Sequence, residues 1–467
     1  MLGAGVALRV WLMADWRPAF LGFPDTAGFL IASQGDFAGV NLRPPGYPVA
    51  LAAIRALVDS AGFVAGVQHA LGLVAAVALW LACRRLGLPA PACIGAAAAI
   101  ALNTTVIALE HALLAESLFL VLVCLGLLAC ASAAEPGRRR AWAWAAGAGA
   151  LFGAAFAFRT VGLPLALLAA AFVASSRPRR PRALAALALV AAAAAPIGAN
   201  LAAVHARSGT WSSAINDAYQ AYGRVAPFAD CRAFRVPPGT EKYCPPLDVR
   251  QRPGASWWLY APESPLLRVV PHPSEGRPGP EELARMRAFT LAAIIGQPRT
   301  YSARVLRDVR RIVQPAYPAN PHFPDNQGAG YQPDSLIEQL RSEGGQALSA
   351  QWDELARVEV ARGTSFLAFE RAVRIDGGVL GLILVLALGA PLVVGRRARR
   401  GTLLLWATGF ALLIVPILTL SYNWRYVVPA VPILVPVALA GGQAAFERLR
   451  DARRSRRGLM AVAVSPD

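Results

Sequence analysis

Residues 112–131 read ALLAESLFLVLVCLGLLACA, and Glu116 is the single charged residue in this run. A helix that crosses the hydrocarbon core of a bilayer needs about 20 predominantly apolar residues. A half-buried helix of a soluble protein would instead show polar residues at regular helical spacing. The run therefore predicts a transmembrane helix with one carboxylate close to its N-terminal end.

Other runs of this kind follow along the chain. They cover residues 64–83, 90–109, 112–131, 141–158, 160–176, 183–204, 377–395, 402–420 and 425–443. A shorter run over residues 1–14 lacks a signal-peptide cleavage site, and we interpret it as a tenth span, either short enough to thin the bilayer or clipped by a late start. Only 16% of the residues are charged, against about 25% in a soluble domain. We therefore expect an all-α polytopic membrane protein with about ten transmembrane helices.

Arginine clusters predict how these spans are oriented. Only one of the 46 basic residues, Lys242, is a lysine, and the formal net charge is +18. Nineteen arginines fall in five clusters beside predicted spans: residues 84–85, 138–140, 177–182, 396–400 and 448–457. With ten spans these clusters share one side of the membrane, which the positive-inside rule makes the cytoplasmic side. The charge thus indicates multi-pass insertion in a cytoplasmic (inner) membrane, and we expect no nucleic-acid partner.

The spans divide the chain into four parts. Residues 1–204 form an N-terminal transmembrane core with an outward loop over 15–47, residues 377–443 form the C-terminal transmembrane helices, and residues 444–467 form a basic cytoplasmic tail. Residues 205–376 are polar and contain many Pro, Gly and Trp residues, and we expect them to form an extracytoplasmic domain of mixed structure.

Two cysteines lie in that expected extracytoplasmic domain, which is an oxidising environment. We predict a disulfide between Cys231 and Cys244, the alternative being a pair of free thiols. The other four cysteines lie in or next to predicted spans, where a thiol behaves as a small hydrophobe. The sequence contains no His/Cys metal pattern and no glycine-rich phosphate loop.

Ionisable residues near a bilayer are costly, so each is a hypothesis of function. Four separated segments place such residues at the outward side: Asp25, Arg43, Glu116, Arg159 and Arg425. Asp25 could act as a general base or as a helix N-cap. Glu116 and Arg159 could bind substrate or form an ion pair that orders the bundle, and the arginines suit a phosphate. Nearby polar residues complete the candidate substrate-binding set: Tyr47, Glu110, His111, Asn423 and Tyr426.

These segments resemble the GT-C superfamily of integral-membrane glycosyltransferases, particularly the branch of the aminoarabinose transferases and protein O-mannosyltransferases. The resemblance rests on Asp25 in the first outward loop and on three short runs: Arg-Pro-Pro-Gly-Tyr-Pro at 43–48, Leu-Leu-Ala-Glu-Ser-Leu-Phe at 113–119, and Arg-Tyr-Val-Val-Pro-Ala-Val-Pro at 425–432. It covers the membrane core, residues 1–204 and 377–443, and leaves residues 205–376 without a comparable match.

The resemblance implies an inverting transfer of a sugar from a polyprenyl-phosphate donor to a lipid, polysaccharide or protein hydroxyl outside the cytoplasmic membrane. Asp25 would be the catalytic base, Glu116 a second catalytic residue, and the arginines would hold the leaving phosphate. Many relatives follow the loop aspartate with a second acid, whereas Thr26 follows Asp25 here. A divalent metal is therefore unsupported, and we assign no metal and no other cofactor.

Two other classes of function compete with an enzyme. A lipid-linked saccharide transporter or flippase should place polar residues at mid-bilayer and show internal repeats, neither of which the sequence shows. A structural scaffold would leave Glu116 and Arg159 as an ion pair and Asp25 as a helix cap. The substitution Asp25→Asn distinguishes these hypotheses, because a scaffold should still assemble while an enzyme should lose turnover. Neither the sugar nor the acceptor is encoded in a motif.

Overall fold

The computed structural model describes residues 1–20, 24–37, 43–176, 179–215, 217–270, 278–314, 365–375 and 377–463. Every regular element in these ranges is helical, and the only β contact described is an isolated parallel bridge between Phe20 and Ala112. The all-α class predicted from the apolar runs is confirmed for this part of the chain. The bridge ties the start of the first loop to the segment that precedes Glu116.

Residues 1–208 contain ten of the described α-helices. They are α1 Leu2–Asp15, α2 Pro24–Ala32, α3 Gly46–Arg55, α4 Ala61–Arg85, α5 Ala90–Ala101, α6 Thr104–His111, α7 Ala115–Ala134, α8 Ala141–Phe158, α9 Gly162–Ser175 and α10 Arg179–Ser208. The remainder adds α11 Asp217–Val225, α12 Ala255–Tyr260, α13 Pro280–Gly296, α14 Pro298–Arg311, α15 Ser365–Val373, α16 Gly377–Val393, α17 Arg396–Thr419, α18 Trp424–Val427 and α19 Val431–Ala463. Short 3₁₀ turns join several of these.

By length and composition, six described helices could cross a membrane: Ala61–Arg85, Ala115–Ala134, Ala141–Phe158, Ala183–Ser208, Arg396–Thr419 and Trp424–Ser455. The helices α9 and α16 are apolar but shorter, and α1 has 14 residues. The chain is thus built as a multi-pass membrane protein, while the number of about ten spans stays a prediction.

The predicted span over 90–109 is not one straight helix. It is divided into α5 and α6, which are bent by 40° relative to each other. The break lies at Asn103, whose side-chain oxygen accepts hydrogen bonds from the backbone amides of Thr105 and Val106. An N-cap of this kind starts a new helix, and hydropathy alone does not register it.

Close helix packing in the membrane core depends on small residues. Gly149 and Gly153 of α8 lie against the backbone of α10, where an added Cβ would collide with the carbonyl oxygens of Leu189 and Ala193. Small residues let membrane helices approach each other in this way. On the outer faces, by contrast, Leu187 of α10 and Leu392 of α16 are 66% and 75% exposed, as expected for helices that contact lipid.

The ends of the membrane helices differ in character. Arg85 and Arg138 both lie over the ring of Trp144, at 5.9 and 4.9 Å, and Gly87 packs on the backbone of Arg397. These contacts gather the arginine-bearing ends of α4, α8 and α17, which we call the basic end. Glu116, Arg159 and Arg425 lie at the opposite ends of their helices, which we call the site end.

The segment between α10 and α16, the inserted segment, lies against the site end. Within residues 209–215, 217–270, 278–314 and 365–375 it contains only helical elements, so the expected mixed structure is not found there. Its core packs Tyr219, Tyr222, Trp258 and Phe289 together. Cys231 and Cys244 are joined by a disulfide, with Cα atoms 6.0 Å apart.

In the inserted segment, α14 is amphipathic. Val305 and Val309 pack against the core of the membrane helices, together with the buried Ile312 just beyond the helix. Arg307 and Arg310 are exposed on the other side. The structure therefore places the apolar face of α14 on the membrane helices and its arginine face outward.

Candidate active site

Asp25 is the second residue of α2, and both of its carboxylate oxygens accept hydrogen bonds from arginines. Oδ1 accepts from Arg43 Nη2 at 2.9 Å and from Nε at 3.3 Å. Oδ2 accepts from Arg425 Nη2 at 2.8 Å. The helix-cap alternative raised by the sequence assigned the carboxylate to backbone amides, whereas here both oxygens bind guanidinium groups.

The Arg-Pro-Pro-Gly-Tyr-Pro run brings Arg43 to this position. Gly46 begins α3 against the last turn of α8, where an added Cβ would lie 2.6 Å from the carbonyl carbon of Ala157. Only a glycine fits at such a distance. The close contact anchors the start of α3 to α8 and leaves Arg43 and Pro44 at the site end, beside Asp25.

Arg425 reaches the same place from the C-terminal helices. Asn423 is the N-cap of α18, and its side-chain oxygen accepts from the Arg425 backbone amide at 3.0 Å. Arg425 Nη1 lies 3.7 Å from Glu116 Oε1, so this arginine connects the two carboxylates. Asn423 was a candidate for substrate binding. In the structure its side chain caps the helix that carries Arg425.

Glu116 is paired with Arg159, as the sequence suggested. Arg159 Nη2 donates to Glu116 Oε1 at 2.8 Å. The guanidinium also lies 4.6 Å from the ring centroid of Tyr426 and 5.8 Å from that of Phe119. Within the described part of the chain Arg159 donates this one hydrogen bond, so its Nε and Nη1 groups have no protein acceptor there.

These five side chains form one alternating row of charges, which we call the cavity cluster: Arg43, Asp25, Arg425, Glu116 and Arg159. It contains three cations and two anions. Burial raises the pKa of Asp25, but attraction to Arg43 and Arg425 outweighs this effect and holds the pKa well below its ordinary value. The same partnership raises the pKa of Arg43 despite its burial. Asp25 is therefore ionised, and an additional anion would balance the charge.

A cavity of about 480 Å³ opens beside the cavity cluster. The size is within the range of small-molecule sites, roughly 300 to 1,000 Å³. Asp25, Arg43, Glu116, Arg159 and Tyr426 supply one wall. An apolar wall comes from the end of α17, and a third comes from the inserted segment: Leu412, Val415, Pro416 and Leu420 in the first, and Ser213, Asp217, Gln220 and Arg287 in the second.

Two predicted site residues lie elsewhere. Glu110 and His111 belong to a second polar group, which we call the closed cluster: Arg9, Glu110, His69 and His111. Arg9 donates to both Glu110 oxygens at 2.8 Å, and His69 Nδ1 lies 3.0 Å from Glu110 Oε2. Glu110 and His111 are 1% and 0% exposed and do not line the cavity. Glu110 and His111 therefore lie apart from the cavity cluster, although Glu116 follows them closely in sequence.

Tyr47 is also absent from the cavity wall. Its buried hydroxyl donates to Gln68 Oε1 at 3.0 Å, and its ring packs edge-on against Phe29. Gln68 in turn donates to the carbonyls of Glu110 and Ala112 at 2.8 Å. Tyr47 therefore connects α3 to the closed cluster rather than to a ligand.

Sequence analysis missed the residues that the inserted segment contributes. Asp217, Gln220 and Arg287 line the cavity, yet a polar helix in a segment with no family resemblance gives no sign of what it faces. Arg9 and His69 were missed as well, although a charged residue inside the apolar run 1–14 demands a buried partner. That demand is a sequence feature that points to the closed cluster.

A divalent metal does not fit the cavity cluster. Both Asp25 oxygens and Glu116 Oε1 already face guanidinium groups, and the five side chains carry a net positive charge. No group of three His, Cys, Asp or Glu side chains in the described ranges is arranged to hold a metal ion. We therefore derive no step through a metal.

No family model and no curated protein sequence matches the chain. Among solved structures it is similar to the Archaeoglobus fulgidus oligosaccharyltransferase tethered with an acceptor peptide, at 12% identity and a TM-score of 0.47, over 97% of this chain and 50% of that one. It is also similar to the oligosaccharyltransferase AglB of the same organism in complex with an inhibitory peptide and a dolichol-phosphate, at 13% identity and a TM-score of 0.46, over 100% and 52%. The chain spans about half the length of these structures.

Proposed function

We propose that the protein is a glycosyltransferase that moves a sugar from a polyprenyl-phosphate donor to an acceptor hydroxyl, with inversion at the anomeric carbon. The observation that carries this proposal is the cavity cluster: a carboxylate held between arginines, beside a cavity with an apolar wall. The runs that hold Asp25, Arg43, Glu116 and Arg425 are those that resemble GT-C glycosyltransferases.

The arginines suit the leaving group of such a reaction. A lipid phosphate that departs from a sugar carries a full negative charge, and preorganised cations stabilise it most where water is excluded. Arg159 has two donor groups without a protein acceptor in the described ranges and is 16% exposed at its side chain. We assign the first contact with the phosphate to Arg159, with Arg425 beside it across Glu116.

The apolar wall suits the lipid portion of the donor. Leu412, Val415 and Leu420 belong to the last turns of α17 or follow it, at the level where that membrane helix meets the cavity. A prenyl chain beside them would exchange contacts with lipid for equally apolar contacts with protein, so the wall can accommodate it without burying a polar group. The cavity thus offers a charged half for the phosphate and an apolar half for the first isoprene units.

Asp25 takes the role of general base in the proposed reaction. The acceptor hydroxyl loses its proton to an Asp25 oxygen while its own oxygen forms a bond to the anomeric carbon. The bond from that carbon to the phosphate oxygen breaks on the opposite side, and its electron pair leaves with the lipid phosphate. The configuration inverts because attack and departure occur on opposite faces of the sugar.

In the structure Asp25 is a weak base, because two guanidinium groups hold its pKa well below the ordinary value. A bound donor phosphate changes this in two ways. It competes for the hydrogen bonds of Arg43 and Arg425, and its negative charge disfavours a second carboxylate anion nearby. Both effects raise the proton affinity of Asp25, so that the base becomes effective when the donor is present.

The orientation follows from the same division of the helices. The basic end would face the cytoplasm by the positive-inside rule, which places the site end and the inserted segment outside. The protein would then act at the outer face of the cytoplasmic membrane, where a lipid, polysaccharide or protein could supply the acceptor hydroxyl.

A transfer assay in oriented membrane vesicles tests the proposal. Radiolabelled polyprenyl-phosphate sugars are supplied to vesicles of both orientations that contain wild type or Asp25→Asn at equal abundance. We expect wild type to fix label on acceptors at the outer face and Asp25→Asn to lose about 10²- to 10⁴-fold in rate, the usual contribution of a general base. Asp59→Asn is the matched control, because Asp59 is an exposed aspartate paired with Arg55 away from the cavity.

Equal transfer by wild type and Asp25→Asn would exclude Asp25 as the base. If no donor is transferred while lipid-linked sugar still crosses the membrane, the protein is a transporter and the glycosyltransferase proposal fails.

A further inference from the structure

One face of α11 lines the cavity on the side of the inserted segment. Asp217, Gln220 and Ala221 line the cavity and are spaced as i, i+3 and i+4, so they share a face of the helix. Tyr219 and Tyr222, on the opposite side, are 0% and 2% exposed within the core of the inserted segment. The helix thus holds its apolar face in that core and presents polar side chains to the cavity cluster.

Gln220 is oriented by a second residue of the inserted segment. Its Nε2 donates to the hydroxyl of Tyr260 at 2.7 Å. Burial raises the pKa of Tyr260, so the hydroxyl is protonated, and it lies close enough to Arg43, Asp25 and Tyr426 to interact with them electrostatically. Gln220 is therefore held next to the groups that bind the phosphate and take the proton.

The amide oxygen of Gln220 is available to a ligand. With Nε2 donating to the Tyr260 hydroxyl, Oε1 is the remaining acceptor atom of the amide, on a side chain that lines the cavity. No donor in the described ranges contacts Oε1. The neighbouring Asp217 is different, because Arg287 Nη2 donates to its Oδ1 at 2.8 Å and occupies it.

We propose that Gln220 determines donor specificity by accepting a hydrogen bond from one hydroxyl of the transferred sugar. The inference rests on the proposed function, since it requires that a sugar occupies the cavity with its phosphate at the arginines. A sugar attached to that phosphate lies beneath α11, on the side of the cavity that Gln220 lines. A site that hydrogen-bonds a hydroxyl rejects the analogue without it far more strongly than an apolar pocket does.

Steady-state transfer with matched donors tests this inference. The probes are polyprenyl-phosphate mannose, glucose, galactose and arabinose, followed by the monodeoxy analogues of whichever sugar wild type transfers. We expect wild type to discriminate against one deoxy analogue by about 100-fold in kcat/KM, the effect of leaving one buried polar group without its partner, and Gln220→Leu to reduce that ratio to below about threefold. Gln220→Leu should lose rate mainly with the hydroxylated donor and keep its rate with the deoxy donor.

Two further variants separate this role from a general loss of structure. Gln220→Glu keeps an acceptor oxygen and should keep most of the discrimination. Gln251→Leu makes the same chemical change at an exposed position of the same segment and should behave as wild type. Unfolding temperatures of the three variants within a few degrees of wild type show that each is folded.

Three outcomes overturn the inference. If Gln220→Leu discriminates among deoxy donors as wild type does, Gln220 does not recognise a hydroxyl of the sugar. If only the KM of the acceptor changes, the hydrogen bond belongs to the acceptor. If wild type transfers none of the donors, the proposed function fails first and the inference with it, whereas the other two outcomes leave the proposed function intact.

Discussion

The cavity cluster and the closed cluster are built from similar charged side chains, but they differ in how many of their polar atoms have a protein partner. Both combine arginines with glutamates next to membrane helices, and both are anchored at the start of α7 or just before it. In the closed cluster all nitrogen atoms of Arg9, His69 and His111 and both Glu110 oxygens have protein partners. In the cavity cluster, Arg159 Nε and Nη1 and Glu116 Oε2 have none in the described ranges.

The difference shows what each arrangement can do. Gly72 of α4 leaves no side chain where the Glu110 carboxyl lies, so the closed cluster has no room for another molecule. The cavity cluster adjoins about 480 Å³ of open space. A fully satisfied buried network orders the helices around it, whereas a partly satisfied one beside a cavity is ready to receive a ligand.

The largest expected effect comes from neutralising one glutamate in each cluster. Glu110→Gln leaves Arg9 buried without its counter-ion, and we expect the free energy of unfolding to fall by about 3 to 5 kcal/mol. Glu116→Gln leaves arginines that can still reach the cavity, so we expect a smaller loss of stability; because Glu116 positions Arg159 and Arg425, we expect a fall in transfer rate of about 100-fold. Thermal unfolding in detergent and transfer per folded molecule measure the two effects.

The opposite outcome for either variant would contradict the assignment of a structural role to the closed cluster and a functional role to the cavity cluster. A Glu110→Gln protein that is stable but inactive would place the closed cluster in the reaction, and a Glu116→Gln protein that is active but unstable would make the cavity cluster structural.

A second pair of variants exchanges arginine for lysine and should give smaller effects. Arg159→Lys keeps the charge but loses the planar group of donors, and we expect the KM for the donor to rise about tenfold. Arg9→Lys cannot reproduce the two parallel bonds to Glu110, and we expect a loss of about 1 to 3 kcal/mol in stability with an unchanged KM. An unchanged KM for Arg159→Lys would remove that residue from the phosphate site.

The smallest effect concerns pH and sharpens the account of Asp25. Its pKa in the folded protein is well below the ordinary value, so its pairing with Arg43 and Arg425 stabilises the fold above the unfolded pKa of about 3.9. That contribution is lost as the pH falls below this value towards the folded pKa. We expect the difference in unfolding temperature between wild type and Asp25→Asn to be constant from about pH 8 to 5 and to shrink below about pH 4. A difference that shrinks already near pH 6 would contradict the low pKa.

Much of the fold could be predicted because lipid imposes a simple rule on sequence. Apolar runs located the long helices, since each must satisfy its backbone internally and expose apolar side chains. The break at Asn103 escaped notice because hydropathy averages over a polar residue that starts a new helix. The short helices α11 and α12 were not predicted, because an irregular, proline-rich segment does not show the periodicity that identifies them.

The site could be predicted only in part, for a geometric reason. Asp25, Arg43, Glu116, Arg159 and Arg425 were recognised as charges near span ends, and the structure brings them together. Glu110 and His111 occupy the same depth, but depth does not give the direction in which a side chain points around a helix. The contribution of α11 depends on how the inserted segment packs on the bundle, which no local pattern in its sequence encodes.

Because Asp25 is bound by both Arg43 and Arg425, the cavity cluster can assemble only after both arginines have been synthesised. Arg425 follows Asp25 by 400 residues, and at about 5 to 20 residues per second the ribosome needs roughly 20 to 80 seconds to supply it. During that time the nascent chain already displays Asp25 and Arg43 without their third member. The cavity cluster is completed only when the final membrane helix is inserted, so a prematurely terminated chain would lack Arg425 even if every earlier helix were in place.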